Sequence, residues 1–362
     1  MFCPKHPEQQ ATARFLVQFG RKTRKRFSHY EQAERFLDGL RYEVDQGTFD
    51  YRDYLSTKPL SFSNLSKQYL IKKKTKVRKG TFSHIKNYIS VADSFFGNTN
   101  VKNIQFAQLE DFTDSLKVGN KTKSCYLSYI HDFFTWLYNR KEIQCIPDFP
   151  KIYFELGYRK TVDKETQREI IEEVYRISSH VNPKIGLAIK FLSTYISIRP
   201  NELRNLKEKD IDHIQGFLFI PHPKEKRPKL VPLIDDDIQL MKTFPPGLPD
   251  LYFFRHDSKV KGCPAGSRFG VNIFYKWWKK ACDNLGIVDV DLYGGTRHSS
   301  AVGLREFATP EEIRRATMHS TNKAFERYYM TSKEELQGVY QATRNCDTGV
   351  IRKGGVEKKI TG

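Results

Sequence analysis

Between Phe62 and Leu137 the apolar residues return every three or four positions, in four separate runs. The first holds Phe62, Leu65, Tyr69 and Leu70, the second Ile85, Tyr88, Ile89, Ala92, Phe95 and Phe96. The third holds Leu109, Phe112 and Leu116, the fourth Tyr126, Tyr129, Ile130, Phe133, Phe134 and Leu137. That period lays one apolar stripe along an α-helix. Four striped helices with short connections bury their stripes against each other, so a compact helical bundle is expected here. No other stretch of the chain restricts the fold as tightly.

The 362 residues leave room for two or three cores. Ahead of the bundle, Arg14 to Gly20 alternates like a strand, with Phe15, Val17 and Phe19 on one face. The basic RKTRKRF follows as a turn and a second short strand. Ser28 and Glu31 have capping-box spacing before a stripe of Ala33, Phe36, Leu37 and Leu40, and Gly47 lies past that helix's end. Gly47 to Pro59 is expected to be a linker. Ile143 to Thr161, with Pro147, Pro150 and Gly157 and no helical period, is a second.

Beyond it, Asp163 caps a helix through Ile177, and Asn182-Pro183 opens the next, which runs to about Ile196. Arg199 precedes Pro200, which biases it away from helical geometry, and Pro200 opens a short helix through Leu206. Phe217–Ile220 and Lys229–Ile234 read as a hairpin with a basic turn, and Asp235 to Asp237 cap a helix. An aromatic helix carries Phe274, Trp277, Trp278, Ala281 and Leu285. The domains expected are 1–56, a small N-terminal αβ module; 57–145, the helical bundle; 146–161, a linker; 162–340, a mixed α/β domain; and 341–362, a tail. The class is mainly α with small β elements.

A net charge of +19 implies a polyanionic partner, and nucleic acid is the usual one. Residues 1–160 carry 28 basic and 16 acidic side chains, a net +12. Two runs hold much of it: Arg21, Lys22, Arg24, Lys25 and Arg26, then Lys72, Lys73, Lys74, Lys76, Arg78 and Lys79. These are the candidate DNA contacts. The six cysteines form no CxxC pair, so neither a disulfide framework nor a zinc ribbon is indicated. No apolar run approaches the ~20 residues of a membrane span. With no secretory pattern at the N-terminus, a cytoplasmic, DNA-associated protein is expected.

Four motifs stand in order in the last domain. They are IRPNELRNLKEKDID (Ile198–Asp212), PKEKRPKLVPL (Pro223–Leu233), TRHSSA (Thr296–Ala301) and MHSTNKAFERYY (Met318–Tyr329). Together they resemble the tyrosine recombinases, the phage-integrase-like site-specific DNA recombinases. At motif level the resemblance covers about 163–340. Upstream it is architectural, a SAM-like core-binding domain and an arm-binding module. It implies Arg199 and Arg297 as the catalytic arginines, Lys224 as the hairpin lysine, His319 as the histidine and Tyr328 as the nucleophile. Lys226, Arg227 and Lys229 in the same turn are the alternatives to Lys224, and the adjoining Tyr329 to Tyr328. Glu202 is a supporting acid. MHS stands where the family has leucine-glycine-histidine. The sequence departs from the family at Gly294, where the second box usually has histidine. Tyr293 and His298 are the two neighbours that could take over its role.

The resemblance implies cleavage through a 3′-phosphotyrosyl link and rejoining without ATP, catalytic metal or cofactor. It implies double-stranded DNA as partner, a homotetramer on two sites, and a bacterial, phage or mobile-element source. Accessory DNA-bending proteins stand open as further partners. Guanidinium groups suit the chemistry because they stay charged and offer forked donors to phosphate oxygens. A lysine can protonate the leaving 5′-oxygen. A catalytically decayed member acting as a DNA-binding regulator, a type IB topoisomerase and a plain basic DNA-binding protein are the alternatives.

Overall fold

The structure is a computed structural model. It describes residues 14–318 apart from 156, 158 and 261, the backbone of 2–3 and 6–10, and positions 337, 340 and 341. The chain divides into two units, 1–156 and 157–362.

The first unit opens with β1 (Phe2–Cys3) and β2 (His6–Gln10), paired antiparallel. A tight hairpin follows, β3 (Phe15–Phe19) against β4 (Thr23–Phe27), with Val17 opposite Lys25 and Gln18 opposite Arg24. Its inner face packs Val17 on Ala33 and Leu40 of α1 (Tyr30–Asp45). The capping box expected from Ser28 and Glu31 does not form. The return strand runs to Phe27, the helix opens at Tyr30, and His29 becomes its N-cap without a side-chain bond. Gly47 takes φ 68°, the left-handed backbone in which glycine ends a helix without strain.

The stretch after Gly47 is a tether rather than a loose linker. Tyr51–Tyr54 forms a 3₁₀ turn capped by Asp50. Arg52 is ion-paired to Asp50 at 2.9 Å and to Glu142 at 2.5 Å. Lys102 reaches Asp50 and Asp53, each at 2.8 Å. The bundle is α2 (Phe62–Lys74), α3 (Lys79–Phe96), α4 (Phe106–Ser115) and α5 (Asn120–Asn139). Its core joins Phe62, Tyr69, Ile89, Phe112 and Phe133, with Ile143, Ile146 and Phe149 packed on as well. The start of the expected second linker therefore belongs to the bundle surface, because its apolar residues have a core to cover.

The second unit starts its core with α6 (Lys164–Ser178), capped by Asp163, whose carboxylate accepts from Thr166 N–H at 2.8 Å. Helix α7 (Lys184–Thr194) is buried nearly all round. Then come α8 (Pro200–Arg204) and a three-stranded antiparallel sheet in the order β5 (Ile211–Asp212), β6 (Phe217–Ile220), β7 (Lys229–Pro232). The expected hairpin is β6–β7, and β5 adds a strand too short to read from alternation. Helix α9 (Asp235–Lys242) starts one residue after its N-cap Ile234, so the three aspartates lie in its first turn. Asp237 is fully buried, ion-paired to Lys190 and accepting from the Tyr195 hydroxyl at 2.7 Å.

Helix α10 (Ile273–Asn284) sends Phe274, Trp278 and Ala281 into the core. It is followed by a π-helix at Gly294–His298, then α11 (Ser299–Gly303) and α12 (Pro310–Thr317). A Thr309–Glu312 capping box opens α12. The described residues include no helix long and apolar enough to cross a membrane.

Candidate active site

Glu202 is the hub of a buried ion cluster. It lies in the first turn of α8, three residues after Arg199, because Pro200 holds Arg199 extended and starts the helix behind it. One carboxylate oxygen accepts Arg199 N–H at 3.1 Å and lies 3.0 Å from Lys229 Nζ. The other accepts Arg199 Nη1 and Lys224 N–H, both at 3.1 Å. Glu225 also pairs with Arg199, and stands 3.0 Å from Lys229. Lys229 is buried and donates to Ser197 O as well, at 3.0 Å.

Two acids and two bases thus share one pocket under the hairpin. Burial alone would raise the Glu225 carboxyl, but Lys229 and Arg199 outweigh it and hold it below the usual range. Both acids meet Arg199 through Nη1, and the side chain keeps 19 % of its surface open. Lys224 has its backbone pinned to Glu202 while its side chain is exposed. Among the lysines of that turn, Lys229 is committed to the cluster. Lys226 takes φ 62° at the bend, and Arg227 is exposed.

Arg297 sits in the π-helix, which packs on α7. The arginine is 2 % exposed, and its Nη2 donates to Thr317 O at 2.7 Å. Thr317 closes α12, and Met318 follows at φ 53°. The left-handed turn that glycine would supply in the family's leucine-glycine-histidine is thus made here by methionine, at a cost of about 1–2 kcal/mol. Arg297 therefore holds the turn at Thr317 and Met318. His319, Tyr328 and Tyr329 lie outside the described residues.

The Gly294 position is filled by the main chain. A Cβ there would stand 2.4 Å from Lys160 O, with Asp291 and Arg159 alongside. Asp291 accepts Gly294 N–H at 2.7 Å and is ion-paired to Arg159, whose guanidinium lies 5.4 Å from the Tyr293 ring centre. Gly294→His is therefore expected not to restore a family-like site. Its side chain would have to displace the 159–162 strap, lowering stability by about 3 kcal/mol or more, read as a fall in the urea midpoint. A stable Gly294→His protein with faster DNA cleavage would contradict this.

His298 points the other way. Its Nδ1 lies 2.9 Å from Tyr293 O, so Nδ1 carries the proton and donates. Burial, with Arg159 and Arg297 nearby, pushes its pKa down to about 4, against the opposing pull of that bond. The folded state therefore binds fewer protons than the unfolded chain between pH 6.5 and about 4. Its stabilising contribution is complete above pH 6.5 and is lost as pH falls towards 4, up to about 3 kcal/mol in all. Urea midpoints should drop over that window, and His298→Gln should flatten the drop.

In the first unit, Arg24 and Arg26 lie on the outer face of the β3–β4 hairpin, and Arg21 is exposed at its turn. Lys22 lies over the Tyr51 ring and Lys25 over Phe36, at 4.1 and 4.9 Å from the ring centres. Lys72, Lys74, Lys76, Arg78 and Lys79 are exposed, whereas Lys73 is tied to Asp132 at 2.6 Å. Lys73 is the member of that run already neutralised by the protein itself. Among the described residues no group of three or more His, Cys, Asp or Glu could hold a metal ion.

Reading the sequence missed Glu225, Asp291 and Gln167, and weighed Lys229 only as a substitute for Lys224. The four-residue spacing of Glu225 and Lys229 was visible, but that both turn inward depends on the hairpin.

No family model matches the chain. A tyrosine recombinase of Thermosipho africanus (strain TCF52B) is 28 % identical over 152 residues. That match takes in 40 % of this chain and 53 % of the relative, so it spans about half the relative's length. Among solved structures, the Tn1549 transposon integrase in complex with a circular intermediate DNA aligns over 78 % of this chain and 99 % of its own. Its TM-score is 0.61 and its identity 12 %. The XerH site-specific recombinase bound to a palindromic difH substrate gives 0.60 and 19 %, over 78 % and 85 % of the two chains. A lambda integrase dimer bound to a COC′ core site gives 0.56 and 10 %, over 86 % and 93 %.

The mixed architecture, mostly helical with small sheets, is the tyrosine-recombinase fold. Its likeness is to the tyrosine-recombinase and integrase superfamily as a whole, distant in sequence and not directed at one member.

Proposed function

We propose that this chain is a site-specific DNA recombinase that cuts and rejoins strands through a 3′-phosphotyrosyl intermediate. Tyr328 attacks the scissile phosphorus, the bond to the 5′-oxygen breaks, and Lys224 protonates that oxygen as it leaves. Arg199 and Arg297 stabilise the charge that builds on the non-bridging oxygens, with His319 as a further donor. Glu202 and Lys229 keep Arg199 in place. A second strand's 5′-hydroxyl then attacks the tyrosyl ester. The ester retains the energy of the broken bond, so rejoining needs no ATP.

The observation that carries this reading is the pair of arginines. Each falls on a motif of the resemblance, in a unit of recombinase fold, and each is oriented by protein acceptors. The net +19 charge supports DNA as the partner. The exposed members of the Lys72–Lys79 run would contact the core site, and Arg21, Arg24 and Arg26 a separate arm site. A lambda integrase tetramer has been seen bound to a Holliday junction. A tetramer on two sites is proposed for this chain by analogy.

A nicked duplex taken from the DNA flanking the gene tests the reading, in EDTA and without ATP. The nick lets the cleaved end diffuse away, so a protein–DNA adduct should accumulate and survive detergent. Binding without an adduct would instead support the regulator reading. Relaxation of supercoiled plasmids of any sequence would support a topoisomerase.

A further inference from the structure

In the π-helix that carries Arg297 the N–H groups reach back five residues, so Ser299 N–H bonds to Gly294 O. Side chains add further bonds to the carbonyls of this turn. His298 Nδ1 donates to Tyr293 O at 2.9 Å and Ser299 Oγ to Gly294 O at 2.8 Å. Gln167 Nε2 reaches Gly295 O at 2.7 Å and Thr296 O at 3.1 Å. The first two are local to the turn. Gln167 comes from α6, well over a hundred residues earlier, and is only 9 % exposed. Its amide also lies 3.0 Å from Ser300 Oγ. The strap adds a second tie, Val162 N–H to Ser299 Oγ at 2.9 Å.

These bonds grip the two peptide planes that come just before Arg297. Fixing them fixes the direction in which the arginine leaves the backbone. A turn without them would relax towards the tighter four-residue pattern and re-aim the side chain.

We propose that Gln167 is a positioning residue for Arg297, holding open the wide turn that aims the guanidinium at the scissile phosphate. This rests on the recombinase reading above. Gln167 touches no substrate, and it acts through Gly295 and Thr296.

The test is single-turnover cleavage of the nicked duplex at saturating DNA, with the wild-type protein run in parallel. Gln167→Met keeps the volume and removes the donor. Cleavage should fall roughly 10²-fold, the scale of a small misplacement of a catalytic group, with DNA affinity within about 2-fold of wild type. The diagnostic readout is a methylphosphonate at the scissile position. A methyl group then replaces one non-bridging oxygen, the linkage carries no negative charge, and the clamp is needed less. Gln167→Met and Arg297→Ala should both come closer to wild type on that substrate, by roughly 10-fold or more.

A defect of equal size on both substrates, or cleavage at the wild-type rate, would overturn the positioning role. Should Gln167→Met melt below the assay temperature, Gln167→Asn, which shortens the reach by one methylene, takes its place with the same expected result. A wild-type protein that forms no adduct would sink the recombinase reading, and is told apart from these outcomes by the parallel reaction.

Discussion

Arg199→Ala and Arg297→Ala should each lower strand cleavage by roughly 10²–10³-fold or more, while DNA binding weakens far less. This is the scale of losing one preorganised charge-stabilising donor. The two losses should differ in their side effects. Arg199 sits between Glu202 and Glu225, so its removal leaves Lys229 facing both acids. Arg297 is buried and holds Thr317 O, so its removal also frees the turn before His319. Single-turnover rates at saturating DNA separate catalysis from affinity. A variant that loses binding yet cleaves normally once saturated would make that arginine a positioning contact for DNA.

Lys229→Met should cost about 3–5 kcal/mol of stability, the usual result of deleting one partner from a buried ion cluster. Two carboxylates would then share Arg199 alone. The double variant Glu225→Gln/Lys229→Met restores one acid to one base and should recover a large part of the loss. Urea midpoints read both effects. If the single variant unfolds at the wild-type midpoint, the cluster contributes nothing to stability and Lys229 is free for other work, including the proton transfer assigned to Lys224.

The helices of both units were legible because each has a stripe to bury, and a stripe is a local property of the sequence. Arg199 and Glu202 were legible for a similar reason. Proline fixes where the short helix begins, and the acid three residues after Arg199 must face that N-cap. The rest of the site was hidden because it depends on partners distant in sequence. Lys229 turns inward through the register of β6 on β7, with Ile220 opposite it, which no spacing reveals.

The π-helix breaks the 3.6-residue period that sequence reading relies on, so Gly294–His298 had no visible structure. The glycine itself was visible as a departure from the family. What fills its place is a backbone carbonyl from Lys160, inside a stretch with no pattern of its own. The capping box at Ser28 failed for a smaller reason, since the hairpin before it ran far enough to shift the helix start to Tyr30.

The most direct measurement of the central claim is to find the amino acid that carries the DNA. Wild-type protein trapped on the nicked duplex would be digested with protease and nuclease, and the nucleotide-bearing peptide sequenced by mass spectrometry. The expected result is a nucleotide joined through its 3′-phosphate to Tyr328, an adduct absent from Tyr328→Phe and retained by Tyr329→Phe. An adduct that survives Tyr328→Phe, or one that maps to Tyr329, would contradict the assignment.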